Sequence, residues 1–330
     1  MIDIVMTIII KDFLRKTLFL IALCSFLILS ACGDEDNQIV FIPEPEPEPE
    51  QPYFQNNPLP VGSRQLKVLS IGNSFTEDAM YYVGPIMESA GIDSETYSIY
   101  YVSHSAASLA HWWQVASQDQ HVVLHCQAGK RMPVKEGTLA ELFAQDWDVV
   151  VLQQYSMDAI NYATFNPWLR NLIDFIRDHC TNPNVTLAWQ MPWSYNDCDE
   201  PSLSHYERWA LLVYTTQQMS RIDGIDVVIP IGTAIQNARY TSLYTPSLLT
   251  RDGWHLDCGV GRYIAACTWI QSLMAPVYDF TVLGNEAIPQ PYSTIPAKYQ
   301  LLPVTSGNRS LCQQCAVKAV ENPYELSSIK

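Results

Sequence analysis

From Gln65 onward, short β-branched apolar runs alternate with longer segments of helical periodicity. That alternation constrains the fold more than any other feature. Strands separated by helix-length crossovers pair in parallel, and a parallel sheet needs helices on both faces. The strand-like runs are Leu66 to Ile71, Thr96 to Val102, Asp148 to Leu152, Val185 to Trp189 and Val227 to Ile229. Helical patterns cover residues 77–90, 139–144, 168–179, about 205–222, 260–274 and about 310–320. The expected fold class is α/β: a three-layer α/β/α sandwich around a parallel five-stranded sheet. Ligands in such sheets bind beyond the carboxyl ends of the strands, which directs attention to the residues after Ile71, Val102, Leu152 and Trp189.

The segment ahead of this alternation reads as a targeting signal and a tether. Lys11, Arg15 and Lys16 precede an apolar run from Thr17 to Leu29, too short to span a membrane comfortably. The run ends in Leu29-Ser30-Ala31-Cys32, which resembles a lipobox. The expectation is a lipoprotein signal peptide over residues 1–31, lipidation of Cys32, and an acidic Pro/Glu-rich tether over residues 32–63. The alternating Pro-Glu stretch from Pro43 to Glu50 should be extended, because proline fixes φ and the glutamates repel one another. Acidic residues just after Cys32 resemble an export signal of surface lipoproteins in one gram-negative phylum; a simply solvated linker reads equally well. The expected location is the cell envelope, lipid-anchored in the outer membrane on the cell surface or the periplasmic face. The folded domain is expected over residues 64–326.

The formal charge of -15 over 330 residues argues against nucleic acid as a partner. Nine cysteines occur, and seven remain once Cys24 and Cys32 are set aside. An exported protein can form disulfides, but an odd number leaves at least one thiol unpaired within the chain. Cys312 and Cys315 form a C-x-x-C with no second pair to complete a zinc site. With Leu311 and Ala319 they fit one helical face, so core packing is the expected role. His121 and His125 are four apart but lack an acidic partner at metal-ligand spacing.

Chemistry is concentrated in two motifs. In Gly72-Asn73-Ser74-Phe75-Thr76-Glu77, a serine falls between a strand end and a helix start, where its own N–H and the helix dipole face a developing oxyanion. The same Ser74-x-x-Glu77 spacing also suits a capping box. Far along the chain, Asp252-Gly253-Trp254-His255 lets one tight turn bring a carboxylate to one imidazole nitrogen and leaves the other free as a base.

Taken together, and in this chain order, the two motifs resemble the SGNH (GDSL-type) hydrolase superfamily. Trp147 to Gln154, Pro230 to Ala234 and Asp252 to Leu256 are also similar to an uncharacterised bacterial lipoprotein subgroup of it. The resemblance implies a flavodoxin-like sandwich and a serine esterase with Ser74 as nucleophile, His255 as base and Asp252 as its orienting acid. It implies an oxyanion hole formed by N–H groups of Ser74 and Ala106 and a glutamine amide, from Gln154 or Gln153. The sequence departs from the superfamily at two of these points, with Ala106 where a glycine is usual and Gln153-Gln154 where an asparagine is usual. The G-x-S-x-G elbow of α/β-hydrolases is absent around Ser74.

Asn73, Trp112, Tyr155, Trp193 and Trp254 fall near the strand ends and are candidate substrate contacts; ordinary aromatic packing is the competing role. His104 and His111 flank the Ala106 turn. No metal or organic cofactor is required by this chemistry. The expected reaction is hydrolysis of an ester, with an O-acetyl or similar acyl group on a carbohydrate as preferred substrate. Lipid esterase or thioesterase activity is the alternative within enzymes, and a catalytically degenerate glycan-binding surface lipoprotein is the alternative outside them.

Overall fold

Val68, Leu69, Ser70 and Ile71 are all buried, which a strand achieves only when both faces of its sheet are covered. The computed structural model describes residues 65–195, 203–222 and 224–329. The expected signal peptide over residues 1–31, the expected tether over residues 32–63 with Cys32, and Cys198 lie outside the described residues.

In chain order the elements are β1 (Leu66–Gly72), α1 (Ser74–Met80), α2 (Val83–Ser89), β2 (Tyr97–Ser103), α3 (Leu109–Ser117), β3 (His121–Val123), β4 (His125–Gly129), β5 (Glu136–Thr138) and α4 (Leu139–Phe143). There follow β6 (Val149–Leu152), α5 (Trp168–His179), β7 (Thr186–Gln190), α6 (His205–Ile222), β8 (Val227–Ile229), α7 (Ile231–Ala238), α8 (Val260–Leu273), α9 (Ala275–Tyr278) and α10 (Arg309–Glu321).

The main sheet has six strands in the order β4-β2-β1-β6-β7-β8. Five are parallel, with Leu69 opposite Tyr100 on one side and Val150 on the other. The sixth, β4, pairs antiparallel with β2 and corrects the expected five-stranded count. Its sequence, His-Cys-Gln-Ala-Gly, has no apolar run because it is a part-exposed edge strand. Pairing with β2, rather than hydrophobic patterning, defines it. His121 and His125 lie on β3 and β4, not on a helix, and His125 stacks on Tyr101.

Alternate strand residues feed two separate cores. Val68, Ile99, Val149, Val151 and Ile229 face α1, α2, α7, α8 and α10. Leu69, Ile71, Val102, Val150, Leu152 and Trp189 face α3, α4, α5 and α6. The result is a three-layer arrangement, each layer following from the period of its segments.

The expected helix over residues 77–90 is instead two helices broken at Tyr81 and Tyr82. Pro85 accounts for the break, since it has no N–H to donate to the Tyr81 carbonyl one turn back. On α10, Cys312 and Cys315 are fully buried, as expected for packing groups. The six described cysteines are all free thiols.

Candidate active site

The chain leaves β1 and crosses to β2 on one side, then returns to β6 on the other, so the carboxyl end of β1 lies at a reversal of strand order. Crevices at such points are where open α/β sheets bind ligands. Gly72 ends β1 there because nothing larger fits: a Cβ would stand 2.1 Å from Thr76 Oγ1 and 2.8 Å from the Gln153 side chain. Asn73 follows in extended conformation and caps α1, its carboxamide oxygen accepting from the Phe75 N–H at 3.0 Å. Asn73 thus takes the capping role that the spacing also allowed for Ser74. Glu77 accepts a hydrogen bond from Ser103 instead of closing a capping box.

Ser74, as first residue of α1, directs its hydroxyl toward His255, with 2.9 Å between Oγ and Nε2. On the far side of the ring, Nδ1 lies 2.7 Å from Asp252 Oδ2. The turn that makes this possible is local. Asp252 Oδ1 accepts from the main-chain N–H groups of Trp254 at 3.1 Å and His255 at 2.8 Å, which frees Oδ2 for the ring. Gly253 occupies the turn at φ 92°, a conformation that side-chain-bearing residues rarely adopt. Partial burial pushes the Asp252 carboxyl upward, but the two amides and the imidazole outweigh it and hold it below the usual aspartate value. The pair is half-exposed, so its worth lies in orientation more than in stability.

A cavity of about 120 Å³ opens onto this relay. It is lined by Asn73, Ser74, Phe75, Ser105, Ala106, Tyr155, Ser156, Trp254 and His255. Ala106 has φ 53°, the left-handed conformation that a glycine would adopt without cost. Among the described residues, the N–H groups of Ser74 and Ala106 have no hydrogen-bond acceptor. The Ala106 turn is held from below by the Asn73 amide, which donates to the Ala107 carbonyl at 3.0 Å.

The glutamines do other work, and the expectation of a glutamine amide in the oxyanion hole is corrected. Both are 1% exposed and neither borders the cavity. Gln154 spends its amide hydrogens on the Thr164 carbonyl and hydroxyl, each at 3.2 Å, and accepts from the Leu109 and Tyr155 N–H groups. Gln153 donates to Asn73 Oδ1 at 2.6 Å and accepts from Thr76 Oγ1 at 2.7 Å and Gln190 Nε2 at 2.5 Å. That chain of amides runs from β7 through β6 to the residue that caps the Ser74 helix. The paired members of this buried network stiffen one another, and among the described residues the Gln190 Oε1 at its far end has no partner.

The aromatic candidates divide. Tyr155 and Trp254 line the cavity, as does Asn73. Trp112 and Trp193 do not contact it; both are at most 1% exposed, which corrects their expected role as substrate contacts. Trp193 lies beneath the site, stacked on Phe75 with 4.0 Å between ring centres, and donates to the Trp254 carbonyl at 2.8 Å. Tyr195 stacks on the Trp254 ring at 5.6 Å. The Ser194 between them is held by Arg239, which donates to its carbonyl and hydroxyl and to the Leu248 carbonyl. Among the described residues the acceptors of Arg239 are all neutral, and burial pulls its guanidinium down to about 9. His104 and His111 stack on each other at 4.5 Å and do not border the cavity.

Ser105, Ser156 and Phe75 are lining residues that sequence reasoning did not single out. All three adjoin residues that were (Ser74, Ala106 and Tyr155), and adjacency was the available signal. No group of three or more metal-ligating side chains occurs among the described residues.

These features define an α/β sandwich with a serine–histidine–aspartate relay at its topological switch point. The chain belongs to the DUF4886 family, described as a domain of unknown function, whose model matches residues 67–298. A crystal structure of a DUF4886 family protein from Bacteroides uniformis is 25% identical, covers 80% of this chain and 97% of that one, and superposes with a TM-score of 0.65. A provisionally assigned SGNH hydrolase from Slackia heliotrinireducens is 15% identical, covering 63% of this chain and 99% of that one, with a TM-score of 0.45. A provisionally assigned GDSL-like lipase from Parabacteroides merdae is 13% identical, covering 64% and 96% respectively, with a TM-score of 0.44. No curated protein matches the chain.

Proposed function

We propose that this protein is a serine esterase of the SGNH type. The observation that carries the reading is the unbroken relay from Ser74 Oγ through both nitrogens of His255 to Asp252, opening on a cavity. Ser74 attacks the acyl carbonyl while His255 Nε2 accepts its proton; the imidazolium then protonates the leaving alcohol. Asp252 fixes the ring with Nδ1 protonated and stabilises the cation that forms. The N–H groups of Ser74 and Ala106 receive the oxyanion. Water repeats the sequence on the acyl-enzyme and regenerates Ser74.

A cavity of about 120 Å³ suits a small acyl group. The rings of Trp254 and Tyr155 at its edge suit the apolar face of a sugar. Together they favour an O-acetyl group on a carbohydrate over a long-chain lipid ester. Cys32 is proposed as a lipid anchor that holds the enzyme to the outer membrane, with the acidic segment after it as a spacer. The test is turnover. Purified protein should release acetate from acetylated glycans and hydrolyse a 4-nitrophenyl acetate ester, and Ser74→Ala should do neither. Glycan binding by wild type and Ser74→Ala alike, with no acetate released by either, would identify a binding protein instead.

A further inference from the structure

Asp78 lies one helical turn beyond Ser74 on α1 and is 1% exposed. A carboxylate buried there persists only if its oxygens are filled, and four donors fill them. Oδ1 accepts from Arg262 Nε at 2.9 Å and Nη2 at 2.7 Å. Oδ2 accepts from Arg251 Nη1 at 2.8 Å and from the main-chain N–H of Leu256 at 2.9 Å. Arg251 immediately precedes Asp252, Leu256 immediately follows His255, and Arg262 lies in the first turn of the helix after them. Every donor therefore comes from the segment that carries the acid and the base. Arg251 also closes that loop on itself, its N–H donating to the His255 carbonyl at 2.9 Å and its guanidinium to the Leu256 carbonyl. Arg262 packs over the Tyr81 ring at 4.0 Å, against the carboxyl end of α1. Asp78, Arg251, Leu256 and Arg262 are all absent from the cavity wall.

We infer that Asp78 is a positioning residue that sets the distance between Ser74 and His255. The inference rests on the esterase reading given above. The path from nucleophile to base consists of one turn of helix, one carboxylate and one peptide unit, each of them stiff. Bonds between an ionised carboxylate and charged donors are short and directional, so the register they impose is narrow. Other described links between the segments are neutral: the Tyr82 hydroxyl donates to the Cys258 carbonyl, Trp193 beneath Phe75 donates to the Trp254 carbonyl, and Phe75 meets His255 edge-on with 5.8 Å between ring centres. Ser74 and His255 are 181 positions apart in sequence, and Asp78 is the charged group that joins their segments, through four hydrogen bonds.

The test is Asp78→Asn, which keeps the shape but turns one acceptor into a donor facing other donors. Turnover per site, counted by fluorophosphonate titration, should fall about 100-fold with KM within about twofold, the cost of displacing reacting groups by roughly 1 Å. Placed in a His255→Ala background, the same change should cost nothing further, because Asp78 acts through His255. A crystal structure of Asp78→Asn should show the Ser74 Oγ–His255 Nε2 separation opened beyond hydrogen-bond reach. If Asp78→Asn does not fold, Arg251→Met should give a loss of about tenfold with the same pattern. Normal turnover per titrated site, an equal loss in both backgrounds, or an unchanged separation would overturn the inference. A wild-type protein that neither labels nor turns over would defeat the esterase reading, and the measured separation would then decide the positioning role by itself.

Discussion

Ser74 and His255 are 181 positions apart in sequence, and their Oγ and Nε2 atoms stand 2.9 Å apart in the fold. A hydroxyl is a poor nucleophile at neutral pH unless a base takes its proton as it attacks, and that separation is the one such a transfer requires. In the proposed mechanism Asp252, 2.7 Å from the opposite ring nitrogen, fixes the tautomer of the base. The arrangement supports four expectations about variants and conditions and one decisive measurement.

The first concerns whether Asp252 and His255 act as one unit. Asp252→Asn presents an amide hydrogen to Nδ1 and favours the unproductive tautomer, a change that costs on the order of 10⁴ in well-studied triads. A smaller loss is expected here, since Asp252 Oδ1 and the two amides it accepts from keep the turn in shape. His255→Ala should be at least as severe, and the double variant little worse than His255→Ala. Steady-state turnover of the three variants on one ester measures this; additive, individually mild losses would separate the two residues.

Ala106 supplies a main-chain N–H from a left-handed conformation. Ala106→Gly keeps the N–H and removes the strain, worth about 1–2 kcal/mol, while adding a comparable entropy to the unfolded chain. Stability should change by less than about 1 kcal/mol, and turnover should hold within about threefold. Ala106→Val should lose both, because a β-branched residue is a poor occupant of positive φ. Thermal melts and ester kinetics read the two effects separately.

Trp193 and Trp254 should behave oppositely despite their contact. Trp193 is fully buried, so Trp193→Ala should cost about 3–5 kcal/mol of stability. Trp254 lines the cavity, so Trp254→Ala should leave the melting temperature nearly intact and raise KM for a glycan ester more than for a small acetate ester. Denaturant unfolding and a comparison of the two substrates check the pair.

Acid should act through Asp252. Its pKa in the fold lies below the usual aspartate value of 3.8. A group with a depressed folded pKa contributes stability above its unfolded pKa and loses it as pH falls through the folded one. The difference in melting temperature between wild type and Asp252→Asn should therefore shrink as pH falls below about 4. The effect should be small, because the carboxylate side chain is 40% exposed. Melts from pH 3 to 6 test the sign; a difference that grows with acid would contradict it.

Where the candidate site was legible in the sequence, the signal was local. Asp252-x-x-His255 closes through one turn, and a serine after a glycine-terminated strand is placed by that strand. The five central strands were legible because burial on both faces demands unbroken apolar runs. Strand β4 was not, since an edge strand answers to its partner and not to a pattern. The same limit applied to Gln153 and Gln154. Their place at a strand end suggested a donor to substrate, but where a long amide points depends on neighbours such as Thr164, Asn73 and Gln190, which come from other segments. Trp112 and Trp193 followed suit: proximity to a strand end does not say which side of the backbone an indole occupies. Asp78 passed unremarked because its partners, Arg251 and Arg262, lie more than 170 positions away.

The nucleophilicity of Ser74 decides between an esterase and a binding protein. Intact-mass and peptide mass spectrometry after treatment with a fluorophosphonate measures it directly, without knowledge of the natural ester. One adduct per chain, on Ser74, is predicted, with none on Ser74→Ala and a labelling rate reduced by a factor of about 100 or more on His255→Ala. The melting temperature of Ser74→Ala should match wild type, since Asn73 and not Ser74 caps the helix. Wild-type protein that stays unmodified, or an adduct on another serine such as Ser105 or Ser156, would contradict the central claim.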